Sequence, residues 1–128
     1  MPRDDQFTQV TFVTAAPVRR HRFVRTSGTT GLIIEAEDNQ PAIGIALEAG
    51  DTGQAISVAA LEGGGIVKVQ LQNVAVPGQA LAREQNGSRA RRQEGNPLPR
   101  LVGFALEAGG VNGVVRMLMQ GDLPAPAA

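Results

Sequence analysis

Hydrophobic and polar residues alternate over many short segments of this chain. The clearest example is Ile66–Gln72, where Val67, Val69 and Leu71 alternate with polar side chains. An alternation of period two predicts a β-strand with one buried face. Similar segments recur at about ten-residue spacing between clusters of Gly, Pro, Asn and Asp, which is typical of an all-β sandwich or small barrel. The other predicted strands are Thr8–Thr14, His21–Thr26, Leu32–Ala36, Ala42–Glu48, Ala55–Leu61, Ala80–Arg83, Leu101–Glu107 and Val114–Met119.

Two glycine-containing connections predict hairpins. The three glycines at 63–65 separate Ala55–Leu61 from Ile66–Gln72, so we expect these two strands to pair with each other. Asn86-Gly87 is a strong two-residue hairpin signal, because both residues tolerate positive φ.

An internal repeat supports this fold class. The segments Gly44–Gly50 and Gly103–Gly109 are identical except that Ile45 is replaced by Phe104. Their flanking turns are also similar, so we expect two copies of one strand–turn–strand unit, at about residues 15–60 and 74–119. Because Gly44 and Gly103 lie inside strand patterns, we expect each to mark a bulge or a close approach of two backbones.

The ends of the chain differ from its middle. Residues 1–13 are predicted to form an extended N-terminal arm, and residues 121–128 form a Pro/Ala tail. The intervening residues 14–120 are expected to form one compact β-domain, a small barrel or sandwich containing the pseudo-repeat. Its core must be aliphatic, because the chain has four Phe and no Trp or Tyr.

The composition gives no positive indication of an enzyme. The chain has no Cys, which excludes a disulfide framework, a thiolate nucleophile and a Cys-based metal site. Its one histidine, His21, lies among Arg19, Arg20 and Arg22 rather than beside an orienting carboxylate. We therefore expect no catalytic residue, no cofactor and no metal site. Apolar runs are also shorter than the roughly 20 residues of a membrane-spanning helix, so no membrane partner is expected.

Opposite charges are segregated along a chain whose formal net charge is zero. Residues 1–30 and 71–100 are rich in Arg, whereas residues 31–70 are acidic. Arg clusters can bind phosphate, but a nucleic-acid-binding domain is usually basic overall and, for single strands, carries stacking aromatic residues. We therefore favour association with a protein surface, while scattered solvated charge remains an equally good interpretation.

Several motifs resemble a known family. The segment Pro41–Gly50, the strand pattern Thr52–Val58 and the glycine-led strand Gly65–Val69 resemble the capsid decoration, or head-cement, proteins of tailed phages. Phe23-Val24-Arg25 and Val102–Leu106 add to this resemblance, which covers about residues 12–119. A fainter similarity to the lambda-type head-decoration protein runs from Phe23 to Val74.

The resemblance implies a compact β-rich domain, often trimeric, on the outer surface of the virion shell. It implies the major capsid protein as partner, a homo-oligomer with a trimer favoured, and no catalytic residues. Such a protein is made in the host cytoplasm and clamps neighbouring capsid subunits. The corresponding contact residues here are apolar anchors in the arm and a cluster of arginines, namely Phe7, Val10, Phe12, Arg19, Arg20, Arg22 and Arg25.

Two other functions remain open from the sequence. One is a different virion structural subunit, such as a tail or fibre protein that uses a similar small β-domain. The other is a small nucleic-acid-binding or carbohydrate-binding β-domain.

Overall fold

The computed structural model describes residues 7–28, 31–36, 41–83, 87–92 and 101–123. Within these ranges the chain forms ten β-strands and one short 3₁₀ turn, which confirms the predicted all-β class. None of the described helical segments is long and apolar enough to cross a membrane. The strands are β1 (Gln9–Thr14), β2 (Phe23–Thr26), β3 (Leu32–Glu35), β4 (Gly44–Ala46), β5 (Ala55–Ala60), β6 (Ile66–Gln70), β7 (Ala80–Arg83), β8 (Ala90–Arg92), β9 (Leu101–Ala105) and β10 (Val114–Leu123).

The first five strands form a closed barrel, which we call barrel 1. Its strand order is β1-β3-β2-β4-β5, and β1 completes the circle by pairing with β5 in antiparallel and with β3 in parallel. Closure removes the exposed edges that an open sheet would present.

The last five strands form a second unit with the same connectivity, which we call sheet 2. Its strand order is β6-β10-β9-β7-β8. These strands correspond, in the same order, to β1, β5, β4, β2 and β3 of barrel 1. Its two edge strands, β6 and β8, meet at a single parallel bridge between Leu71 and Ala90. The corresponding pair in barrel 1 is Thr14 and Ile33, in the parallel ladder of β1 with β3.

The two units cover residues 9–60 and 66–123, so each begins earlier than the repeat seen in the sequence. The difference arises because β1 and β6 share little sequence, whereas the repeated heptapeptides begin at the equivalent strands β4 and β9. Gly44 pairs with Val24 of β2, and Gly103 pairs with Leu81 of β7. The two glycines therefore occupy the same place in the two units.

Both glycines lie where two backbones approach closely. A Cβ at Gly44 would overlap Val58 Cγ1 and the Ala59 carbonyl oxygen. A Cβ at Gly103 would overlap the Leu118 carbonyl oxygen and lie 2.8 Å from Met117 Cγ. Neither site has room for a side chain without movement of the neighbouring strand.

Three parts of the sequence prediction are wrong. The glycines at 63–65 do not join a hairpin, because β5 belongs to barrel 1 and β6 to sheet 2. The 3₁₀ turn at Leu61–Gly63 and the positive φ angles of Gly64 (67°) and Gly65 (95°) direct the chain into the next unit instead. The predicted arm of residues 1–13 is also too long, because Gln9–Thr14 forms a strand that pairs with both β3 and β5. The predicted tail of residues 121–128 begins too early, because β10 continues to Leu123. Residues 1–6 and 124–128 lie outside the described residues.

The predicted turn at Asn86-Gly87 falls in the connection between β7 and β8, which pair in antiparallel. Asn86 itself lies outside the described residues. The sequence does not predict the strand β8, because Ala90–Arg92 carries no alternating pattern of its own.

Two hydrophobic clusters hold the fold together. The smaller one fills barrel 1 and includes Val24, Ile33 and Ile56. The larger one fills sheet 2 and extends across its junction with barrel 1, so we call it the shared core. It includes Phe23 and Ile45, which point away from the interior of barrel 1, together with Val69 of sheet 2. The two units therefore bury apolar surface against each other as one folding unit.

Candidate partner-binding surface at the junction of the two units

Backbone hydrogen bonds join barrel 1 directly to both edge strands of sheet 2. The Gln70 amide of β6 donates to the His21 carbonyl at 3.1 Å. The Phe23 amide donates to the Ser88 carbonyl, next to β8, at 2.8 Å. The segment 21–23 of barrel 1 therefore lies between the two edges of sheet 2 and satisfies backbone groups of both.

Arg22 lies at the centre of this junction, where its side chain is buried. Its Nε donates to Gln70 Oε1 at 2.8 Å and its Nη1 donates to Ser88 Oγ at 3.2 Å. Ser88 in turn donates to Glu35 Oε1 at 2.9 Å. A buried cation is tolerated only with such polar partners, so the network fixes the two units in one relative position.

Glu35 accepts from a second arginine on the barrel side of the junction. Its carboxylate receives the Arg19 backbone amide at 2.7 Å, Arg19 Nε at 3.0 Å and Arg19 Nη2 at 2.7 Å. Burial raises the pKa of Glu35, but the hydrogen bonds from Arg19 and Ser88 and the charge of Arg19 more than offset this, so its pKa is lowered from the ordinary value. The carboxylate is therefore ionised in the folded protein at neutral pH.

A bond in the opposite direction completes the junction. Arg83 of β7 is buried, and its Nη1 donates to the Ala36 carbonyl of barrel 1 at 3.0 Å. Each unit thus sends an arginine into the other, Arg22 from barrel 1 and Arg83 from sheet 2.

An open cleft of about 220 Å³ borders the junction. Residues of both units line it, namely Phe7, Arg20, His21, Leu47, Val67 and Lys68. Its floor is apolar, and the side chains of Arg20 and Lys68 are exposed. Arg20 is oriented by a hydrogen bond of 3.2 Å from its Nε to the Leu47 carbonyl. An apolar floor beside two cations suits a partner segment that carries both apolar and acidic side chains.

The structure separates the predicted contact residues into two groups. Phe7 and Arg20 come together at the cleft, and Val10 is exposed on β1. The side chain of Arg19 is 59% exposed, although its guanidinium is bound to Glu35.

The remaining predicted contact residues are used within the chain. Phe12 packs against the interior of barrel 1, and Arg22 is buried in the junction. Arg25 is half-buried, and its Nη1 donates to the Thr26 carbonyl at 2.7 Å. The prediction that Arg22 faces a partner protein conflicts with this burial. The sequence pattern missed it because the partners that bury Arg22, namely Gln70 and Ser88, come from distant parts of the chain.

Sequence reasoning also missed Lys68 and Leu47 as neighbours of Arg20. Lys68 lies on the polar side of the best-predicted strand, so its exposure was visible in the sequence, but its proximity to Arg20 was not. In the part of the chain that the structure describes, no group of three His, Cys, Asp or Glu side chains is placed to hold a metal ion.

Comparison with known proteins gives a structural likeness but no sequence family. No protein-family model and no curated protein sequence matches this chain. The chain is similar to the crystal structure of the N base of head fiber gp8.5 in bacteriophage phi29, with a TM-score of 0.68 and 17% sequence identity. The likeness covers 93% of this chain and 99% of the phi29 chain, so it includes both five-stranded units. At this identity it shows a shared fold.

Proposed function

We propose that this chain is a structural protein of a phage virion, located on the outside of the head. The observation that carries the proposal is the likeness to the phi29 head fiber base over 93% of the chain. The resemblance of the Pro41–Gly50 and Gly65–Val69 segments to capsid decoration proteins supports the same location. The proposed role is structural, with no catalysis, cofactor, nucleic acid or membrane involved.

In this proposal the chain clamps subunits of the major capsid protein and acts as a homo-oligomer, with a trimer favoured. The cleft is the proposed contact, and it receives an apolar and acidic segment of the capsid. A protein that binds only the assembled, expanded lattice stabilises that lattice by mass action. Many copies on one shell then act together, so each single contact can be weak.

The base of a head fibre is a second candidate, and it is favoured by what the phi29 neighbour is. In that case the chain binds the head at its attachment sites and carries a projecting structure, without bracing neighbouring capsid subunits. Both candidates need a rigid β-domain, and they differ in whether the shell itself becomes stronger.

Co-sedimentation with expanded and unexpanded heads of the phage that encodes the chain tests the proposal. We expect binding to expanded heads, and absence of binding to either form would reject a head location. Measuring the rupture temperature of the heads with and without the protein then separates the candidates. A clamp raises the rupture temperature, whereas a fibre base binds and leaves it unchanged.

Charge-removing variants test the cleft. We expect Arg20→Gln and Lys68→Gln each to weaken binding to expanded heads and to reduce its salt dependence, because exposed charges act through screened attraction. Arg89→Gln removes the same charge at a residue that bonds to Asn112 instead of lining the cleft, and serves as the matched control. Equal binding by the cleft variants and the control would exclude the cleft as the contact.

A further inference from the structure

A cross-strand row of apolar side chains on the outer side of barrel 1 is completely buried inside the chain. Phe23 pairs with Ile45, and Ile45 pairs with Ala59, so the three lie side by side on β2, β4 and β5. All three are 0% exposed and belong to the shared core. Leu47, two residues beyond Ile45, packs against the same core. In barrel 1, this outer side is therefore an interface and not a solvent face.

Sheet 2 carries the equivalent row at its surface. Ala80 pairs with Phe104, and Phe104 pairs with Leu118, in the same register as the row of barrel 1. Leu118 also pairs with Ile66 of β6, which extends the row by a fourth apolar residue. Leu118 is 37% exposed, and Phe104, Ala80 and Ile66 are partly exposed.

A fifth apolar residue extends the same surface. Leu106 is equivalent to Leu47 and is 38% exposed. We call these five residues the outer face of sheet 2: Ala80, Phe104, Leu118, Ile66 and Leu106. A contiguous apolar surface on a solvated sheet is typical of an interaction site.

The contact between the two units is head-to-tail rather than two-fold symmetric. The segment 21–23 of barrel 1 bonds to Gln70 and Ser88 of sheet 2, whereas the equivalent segment 78–80 bonds to Val76 and Ala105 within sheet 2. A head-to-tail contact uses two different surfaces, so each unit retains one surface unused. Sheet 2 retains its outer face, and barrel 1 retains the seam between β1 and β3.

The free seam of barrel 1 is also apolar. Val13 of β1 is 38% exposed. It is the equivalent of Gln70 of β6, which bonds to barrel 1 at the existing junction. Val13 pairs with Leu32 of β3, which is partly exposed. We call Val13 and Leu32 the seam of barrel 1.

We propose that the outer face of sheet 2 binds the seam of barrel 1 in a second copy of this chain. The second copy is the indicated partner because, within one chain, the equivalent face of barrel 1 is covered by another unit of the same fold. The β1 and β3 strands are already hydrogen-bonded to each other, so this contact uses side chains without exchanging backbone bonds. Repetition of such a contact gives a closed ring or an open chain of copies.

The inference specifies the self-association that is part of the proposed function. Its test uses purified protein without heads, so its failure is distinguishable from a failure of head binding. The chain contains no Cys, which makes site-specific disulfide cross-linking possible with single introduced cysteines.

We would prepare Gln79→Cys, next to Ala80 of the outer face, and Val13→Cys in the seam, mix the two proteins and oxidise them. Gln79 and Val13 are the equivalents of Arg22 and Gln70, which are hydrogen-bonded at the existing junction. A head-to-tail contact predicts a disulfide-linked dimer in the mixture and little in either protein alone. Val111→Cys, at a turn residue that is 63% exposed, is the control for random collision. Efficient cross-linking of Gln79→Cys with itself would indicate a symmetric contact and would overturn the proposal.

Association without cross-linking provides an independent readout. We expect the unmodified protein to sediment as more than one chain, and Phe104→Glu and Val13→Glu each to lose this association. Circular dichroism and the urea midpoint would establish that both variants are folded, and Val111→Glu should associate like the unmodified protein. A protein that remains monomeric at all concentrations, or association that survives both substitutions, would overturn the inference.

Discussion

His21 and Gly78 occupy the same position in the two units. Both have a left-handed backbone, with φ of 64° and 83°. The amide of His21 donates to the Ala46 carbonyl at 2.9 Å, and the amide of Gly78 donates to the Ala105 carbonyl at 2.7 Å. The repeat thus preserves a backbone conformation even where one copy has a residue that seldom adopts it.

A second pair of turn positions makes this conservation testable. Gly53 (φ 83°) is equivalent to Asn112 (φ 62°), and a Cβ at Gly53 would meet nothing within 4 Å. Only the backbone conformation opposes substitution there, and Asn adopts the left-handed conformation more readily than Val. We therefore expect Gly53→Asn to lower the free energy of unfolding less than Gly53→Val, which should lower it by about 1–2 kcal/mol. Urea unfolding measures both. Equal costs for the two substitutions would contradict the left-handed conformation at Gly53.

The close approaches at Gly44 and Gly103 predict large effects from one added methyl group. We expect Gly44→Ala and Gly103→Ala each to lower the free energy of unfolding by about 1–3 kcal/mol, because each Cβ overlaps a neighbouring strand. Gly110→Ala is the matched control, since a Cβ at Gly110 would meet nothing within 4 Å. The urea midpoint is the measurement, and similar midpoints for all three variants would be inconsistent with the close approach.

The buried network predicts that Arg22 is important for stability. We expect Arg22→Ala to lower the free energy of unfolding by about 1–3 kcal/mol, because it removes the hydrogen-bond donor to the buried Ser88 hydroxyl and to the half-buried Gln70 side chain. Arg20→Ala removes an exposed arginine two positions earlier. Its free energy of unfolding should stay within about 0.5 kcal/mol of that of the unmodified protein. Thermal unfolding of both variants gives the comparison. If Arg20→Ala were the more destabilising change, the assigned positions of the two side chains would be incorrect.

The lowered pKa of Glu35 predicts how stability depends on pH. A carboxyl group whose pKa is lower in the folded state contributes stability above its unfolded pKa, and this contribution is lost as pH falls through the folded value. We therefore expect the unmodified protein to exceed Glu35→Gln in stability at pH 7, and the difference to shrink below about pH 4. Urea unfolding from pH 7 to pH 3 tests this, with Glu62→Gln, at an exposed site, as the control. A pH-independent difference between the unmodified protein and Glu35→Gln would refute the prediction.

The integration of β1 predicts that a long N-terminal truncation is harmful. Removal of residues 1–13 deletes almost all of a strand that pairs with β3 and β5 and opens barrel 1 at both edges. We expect the truncated protein to lose its cooperative thermal transition or to aggregate through the exposed edges. A soluble truncation with an unchanged transition would show that residues 7–13 are a detachable arm, as the sequence predicts.

Several features of the fold could be predicted because they depend on local patterns. The alternation in Ile66–Gln72 predicts a strand, and β6 is found at Ile66–Gln70. The repeated heptapeptide predicts two similar segments, and β4 and β9 are equivalent strands of the two units. These predictions succeed because side-chain alternation and the absence of a Cβ act within a few residues.

The candidate site could be predicted only in part. Arg19, Arg20, Arg22 and Arg25 look alike in the sequence, yet Arg20 lines the open cleft and Arg22 is buried. The environment of each arginine depends on residues far along the chain, since the partners of Arg22 lie 48 and 66 positions away. No local pattern contains that information.

The sequence alone determined the all-β class, most strand positions and the two glycines at equivalent places. Tertiary structure decided that β5 and β6 separate instead of pairing, that β1 belongs to the barrel, and that the two units meet through Arg22 and Arg83. The physical reason is that strand formation is encoded by neighbouring side chains, whereas strand partners and buried polar contacts are selected by the packing of the whole chain. The equivalent rows containing Phe23 and Ala80 illustrate this difference, because one is buried at a junction and the other lies at the surface.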